Sequence, residues 1–261
     1  MGYKKLNRRG QVTILVIIAL IIVVLLVFIF GLLKTKSPTV ISFRENPEAY
    51  IEDCVAKSLV KAEQKILDGN GYANISDNYM LYSGNKNSEK VPYFCKTSMF
   101  YTPCVNQEPM LLEKVRRELE SLTKRDAAAC FSEISSLIKK DGSEITEGGM
   151  NFTIDLQKKY IVADISKNFI ITNGESKVVF NKFFSRIPSP LYGLIDTARN
   201  IVNYESTLCE FNVVNWERYY RDIAISRFMT GDQTKVYTLT NKDDGKQLSF
   251  AIRACVLPAG I

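Results

Sequence analysis

Ser58 with Lys61, and Ser136 with Lys139, stand in the Ser-x-x-Lys spacing, in which a lysine amine can activate a serine hydroxyl for attack. Both pairs fall on stretches with helical apolar periodicity, where serine and lysine are ordinary surface residues, and both types are common enough for the spacing to arise by chance. Asp155 and Asp164 offer a second chemistry, the paired carboxylates of glycoside hydrolysis. Each alternates with apolar neighbours, so strand parity turns both toward solvent, and no concave pocket with two facing acids is expected. Asn241, Asp243, Asp244 and Gly245 share composition with a calcium loop but not its D-x-D-x-D-G cadence, and predict a turn. No P-loop and no G-x-G-x-x-G is present, so no nucleotide cradle and no cofactor are expected. The chain contains no histidine, which removes Ser-His-Asp and Cys-His catalysis, HExxH zinc sites and imidazole switching. The resulting expectation is a non-enzymatic protein, with an anchored carboxylate-dependent hydrolase as an alternative.

Binding chemistry is better represented. Tyr72, Tyr79, Tyr82, Tyr93, Phe94, Phe100 and Tyr101 are interleaved with asparagine and glycine, a composition that suits contact with glycans or proteins when the rings are exposed. Packing inside a small sheet explains the same residues. Six cysteines, Cys54, Cys95, Cys104, Cys130, Cys209 and Cys255, form no C-x-x-C pair. Three disulfides are expected, with reduced core thiols as the alternative. All 15 connectivities stay open; a local Cys95 to Cys104 staple is the first expectation, then Cys54 with Cys130 between two helices, leaving Cys209 with Cys255. Asn74 (NIS) and Asn151 (NFT) are glycosylation sequons, a triplet that also arises by chance.

The elements that must position these groups begin with a membrane anchor. Residues 12–33, VTILVIIALIIVVLLVFIFGLL, carry no charge, and at 1.5 Å per residue would make about 33 Å of helix, enough to cross a hydrocarbon core of about 30 Å. The stretch is long for a secretory signal, and GLLKTKSPTV offers no A-x-A-like cleavage site. Lys4, Lys5, Arg8, Arg9, Lys34 and Lys36 lie before residue 37 with no acid among them, and equal the whole net charge of +6. The body is therefore neutral and has no charge-based claim on nucleic acid. The flanking cations favour a cytoplasmic N-terminus. The expected organisation is a basic cytoplasmic N-terminus 1–11, a transmembrane helix 12–33, a connector 34–45 and an extracellular domain 46–261 with a candidate subdivision near 145.

With 46% hydrophobic and 24% charged residues in 261, that domain can bury a core. Asn46-Pro47-Glu48 reads as an N-cap and first turn, and Ile51, Val55, Leu59, Ala62 and Ile66 recur at helical spacing up to Gly69. Residues 72–105 read as short strands and turns. Glu108-Pro109 opens another helix, expected to break at Lys124 to Asp126 before a further helical stretch that stops near Gly142. From Gly149 the apolar period becomes two, with a type I′ hairpin at Asn173-Gly174, so residues 150–187 predict an antiparallel meander. Ser189-Pro190 opens a helix, Trp216 to Phe228 fits helix or strand, and Lys235–Leu239 with Gln247–Val256 predict a hairpin. Segregated helices and strands predict α+β: amphipathic helices packed on antiparallel sheet.

The start RRGQVTILVIIAL resembles the archaeal class III signal peptide of type IV pilin-like proteins, which implies processing between Gly10 and Gln11 with retention of the apolar helix. Thr13 and Leu15 stand where that family has serine and glutamate, and the glutamate is implicated in assembly. The chain also resembles uncharacterised single-span archaeal proteins with a KRGQ-like start, through YIEDCVAKSL, PYF, AACF, NFTIDL, FFSRIPSPLYGLIDTARNIV and SFAIRACV. That resemblance implies an anchored extracellular α+β domain and supplies no site residues. The functional expectation is a single-pass cell-surface protein whose disulfide-stabilised domain binds an envelope or cell-surface protein or a glycan, with a minor pilin-like subunit as an alternative. Its expected partners are the lipid bilayer and that surface component, not nucleic acid.

Overall fold

The computed structural model describes residues 18–23, 25, 46–75, 77–83 and 88–258. The chain divides into two compact units, Met1–Ile41 and Ser42–Ile261. In the first, residues 18–23 and 25 are helical, and Ile18, Leu20, Ile21, Ile22, Val23 and Leu25 are all exposed. The rest of the expected span 12–33, Gly10 and Gln11, and the connector 34–45 lie outside the described residues. Among the described residues no helix is long and apolar enough to cross a membrane.

The second unit is a mixed α+β body. Helix α1, Pro47–Asp68, starts where expected: Asn46 accepts a hydrogen bond from the Ala49 amide at 3.0 Å, and proline fills the first turn. Ile51, Val55, Leu59, Ala62 and Ile66 form its buried stripe. The chain turns sharply at Gly69, where a Cβ would lie 1.9 Å from the Tyr72 carbonyl oxygen. Strands β1 (Tyr79–Ser83), β2 (Ser88–Lys96) and β3 (Val105–Asn106) follow.

Helix α2 runs unbroken from Leu111 to Lys140, which corrects the expected break. Lys124 and Arg125 are exposed and Asp126 half-buried, while Leu119, Thr123, Ala127, Cys130, Phe131 and Ile134 carry the buried stripe past them at spacings of three and four. A charge run on the solvent face leaves a helix intact.

Strands β4 (Glu144–Gln157), β5 (Tyr160–Asn173) and β6 (Ser176–Pro188) form the expected antiparallel meander, in the order β4-β5-β6. Its second turn differs from expectation by one residue. Asn173 pairs with Ser176, so the central pair is Gly174-Glu175, with Gly174 at φ 57, the arrangement that puts glycine first in a two-residue hairpin. α1 and α2 pack side by side over this sheet, with Phe131, Phe169 and Phe183 in mutual ring contact.

Helix α3 (Leu191–Leu208), the short helix α4 (Val213–Tyr219) and strands β7 (Ile223–Met229), β8 (Lys235–Asn241) and β9 (Gln247–Arg253) complete the body. Trp216 to Phe228 thus splits into the end of a helix and most of a strand. The second sheet runs β1-β2-β9-β8-β7, with β3 beside β2, and its β2–β9 pair is parallel. α3 packs against it, and one core cluster joins α1, α2, α3 and both sheets. Where β2 and β9 separate, Asn70 joins them: its amide donates to the Lys90 carbonyl at 3.2 Å and its oxygen accepts from the Ser249 amide at 2.7 Å.

The same sheet buries a smaller cluster, Val91, Tyr93, Val236 and Ala251, with Met80 and Tyr82 against it. Tyr82 on β1 meets Phe228 on β7 with ring centroids 5.5 Å apart, although these are the two edge strands. The sheet is therefore strongly coiled, and its two edges cover a core of their own.

Candidate functional site

The cysteines organise the body. All six pair, as Cys54–Cys130, Cys95–Cys104 and Cys209–Cys255. The first joins α1 to α2, the second closes the loop after β2, and the third ties the end of α3 to the chain beyond β9.

Between Cys95 and Cys104 the backbone is fixed by several bonds. The Thr97 amide donates to the Arg253 carbonyl at 3.0 Å, the Tyr101 amide to the Val256 carbonyl at 3.0 Å, and the Cys255 amide to the Thr102 carbonyl at 2.8 Å. The Arg253 guanidinium donates to the Thr97 carbonyl at 2.7 Å, and the Thr97 hydroxyl accepts from the Met99 amide at 3.1 Å. Met99, Phe100 and Tyr101 project from this frame into solvent.

Of the two readings of the seven aromatic residues, packing inside a sheet holds for most of them and exposure for two. Tyr72, Tyr93 and Phe94 are buried, Tyr79 and Tyr82 half-buried, and only Phe100 and Tyr101 exposed. The reason lies in the coiled sheet: Phe94 stacks on Phe250 at 4.9 Å in the main core, while Tyr93 enters the smaller cluster. Tyr72 donates to Glu108 at 2.7 Å beside Lys114; burial first, then that hydrogen bond, push its phenol well above the usual tyrosine range. Met99 belongs with the exposed pair, and a search for aromatic side chains passes over it.

A polar cleft of about 570 Å³ opens at the C-terminal end of α1, lined by Asp68, Asn70, Glu89, Lys90, Asp244 and Gln247 among others. Two of its acids serve the fold: Asp68 accepts from the Gln64 amide at 2.7 Å, and Asp244 accepts from the Lys246 amide at 3.1 Å. The NKDDG segment is a turn, with Asn241 accepting from the Asp243 and Asp244 amides at 3.1 and 3.2 Å. Among the described residues no group of three or more His, Cys, Asp or Glu side chains is arranged to hold a metal ion.

Two buried glutamates went unseen in the sequence because their partners are remote. Glu63 accepts from Ser189 at 2.5 Å and Lys246 at 2.8 Å. Glu205 accepts from Lys235 at 2.7 Å and from the Tyr237 hydroxyl. Burial, then the Glu205 charge, hold Tyr237 protonated far above its ordinary range. Lys235 also donates to the Cys209 carbonyl at 2.6 Å, placing a cation at the C-terminus of α3 where the helix dipole favours one. This cluster fastens α3 to β8.

The Ser-x-x-Lys pairs dissolve on inspection. The buried Ser58 donates to Asp126 at 2.9 Å and Ser136 donates to the Ser132 carbonyl, while Lys61 and Lys139 are exposed. Asp155 is exposed and accepts from Gln157; Asp164, half-buried, pairs with Thr153 across the sheet. Asn74 is exposed, and so are Asn151 and Thr153 on one face of β4. No family model matches the chain, and neither a curated protein nor a solved structure does.

Proposed function

We propose that this is a cell-surface protein, held by a single N-terminal helix with its N-terminus in the cytoplasm, whose disulfide-stapled extracellular body binds rather than catalyses. The observation that carries this reading is the pairing of every cysteine in the body that follows an uncharged apolar stretch. Disulfides persist in oxidising surroundings, and residues 12–33 have the length and composition of a bilayer span. The exposure of successive apolar side chains between Ile18 and Leu25 also supports a lipid environment, since water disfavours a helix apolar all round.

Protease shaving of intact cells, with thiol labelling before and after reduction, tests topology and redox state together. The expected result is release of body peptides from unbroken cells, with labelling of six thiols only after reduction. Peptides protected until lysis, with thiols labelled at once, would overturn the reading.

A second reading, a minor pilin-like subunit, draws on the RRGQ segment alone. A mature chain beginning at Gln11 supports processing, and an intact Met1 or Gly2 excludes it.

A further inference from the structure

The Cys95–Cys104 loop holds three consecutive large side chains away from the body: Met99, Phe100 and Tyr101 keep 63%, 48% and 59% of their surface exposed. No charged residue lies between Thr97 and Val105. A free loop of this composition would fold its apolar groups back onto the nearest apolar surface. This one is held out by the disulfide and by the backbone bonds to Arg253, Cys255 and Val256. Tyr101 itself sits at φ 59, a left-handed conformation unfavourable for any residue but glycine, which persists only where the surroundings impose it. Val105 and Leu257, both exposed, flank the loop in sequence and through the Val256 contact.

The size of the patch selects the partner. Three half-exposed side chains present on the order of 300 Å² of apolar surface, well below the roughly 800 Å² that a standard protein interface takes from each side. A bilayer boundary needs no matched surface, and aromatic side chains partition readily at its headgroup level. Residues 34–45 span at most about 40 Å fully extended, so a body tethered to a span at 12–33 stays within that reach of lipid. Such confinement supplies effective concentration in place of a large contact area.

We infer that the Met99-Phe100-Tyr101 tip is an interfacial lipid-docking element, which dips into the same bilayer that holds the chain and fixes the orientation of the body on it. This rests on the anchor reading above. Phe100 is exposed and Trp216 is the sole tryptophan, so Phe100→Trp in the full-length chain adds one readable fluorophore. The protein is reconstituted in phosphatidylcholine vesicles with plain or brominated acyl chains, and wild-type emission is subtracted.

The expected result is blue-shifted emission from position 100 that loses at least half its intensity in brominated vesicles. Adding Met99→Ser and Tyr101→Ser should abolish that quenching while the chain still floats with the vesicles. Flotation with emission that bromine does not quench and aqueous iodide does would overturn the docking inference and leave the anchor standing. Emission shielded from both quenchers would overturn it in favour of a protein contact. A chain that fails to float at all overturns the anchor and the docking inference together.

Discussion

Tyr72 and Tyr237 are buried phenols that hydrogen-bond to carboxylates, and both are held protonated above their ordinary range, by burial first and then by Glu108 and Glu205 respectively. Raised folded-state values mean that their contribution to stability is complete below the unfolded tyrosine value of about 10 and is lost as pH rises past it. Unfolding by urea between pH 9 and 11.5 should show stability falling by up to about 1.4 kcal/mol per pH unit for each of them. Tyr72→Phe should flatten that slope by one proton even if it lowers stability at neutral pH. An unchanged slope would show that the Tyr72 phenol titrates normally. The same two residues mark what composition alone concealed. The type of Tyr72 suited a recognition surface as well as a packed core and Tyr237 drew no notice, whereas each phenol meets a carboxylate remote in the chain, Glu108 and Glu205.

Elements whose signal is local were legible: the N-cap at Asn46, the stripe of α1, the alternation of β5 and the Asn241–Gly245 turn each depend on neighbours within a few residues. The uninterrupted α2 was not, because Lys124, Arg125 and Asp126 read as a breaker until the buried stripe beside them is followed in three dimensions. Nor was the parallel β2–β9 pair, since residues far apart in sequence must meet before it exists. The attachment of α3 to β8 depends on the same kind of distant contact. Lys235 and Glu205 are both buried, and the lysine also supports the C-terminus of α3. Glu205→Leu leaves that ammonium buried without its partner and should cost about 3–5 kcal/mol, read as a shift in the urea midpoint. The double variant Glu205→Leu with Lys235→Met should recover most of the loss. A single variant as stable as wild type would show that the pair contributes nothing to attachment.

Across the whole molecule, the longest covalent constraint is Cys54–Cys130, which closes a separation of 76 residues and joins the two helices that cover the β4-β5-β6 sheet. In the chain-entropy account a loop of that length contributes about 4.5 kcal/mol, against about 2.6 kcal/mol for the nine-residue separation of Cys95–Cys104. Paired serine substitutions at Cys54 and Cys130 should therefore lower the thermal midpoint more than the same change at Cys95 and Cys104, when followed by circular dichroism. The reverse order would indicate that the small loop holds more than its own tip in place. The functional picture at this scale draws on a different kind of signal. Residues 12–33 speak through composition, the exposed tip through a conformation that no residue count reveals.

The meeting of Tyr82 with Phe228 has a consequence for life at high density. Where two rims of a sheet meet through their side chains, a neighbour's strand finds less room to dock and grow along either edge. Copies at high concentration would then slide past one another instead of zipping into fibres, and Phe228→Ser should raise fibre formation, read by thioflavin fluorescence.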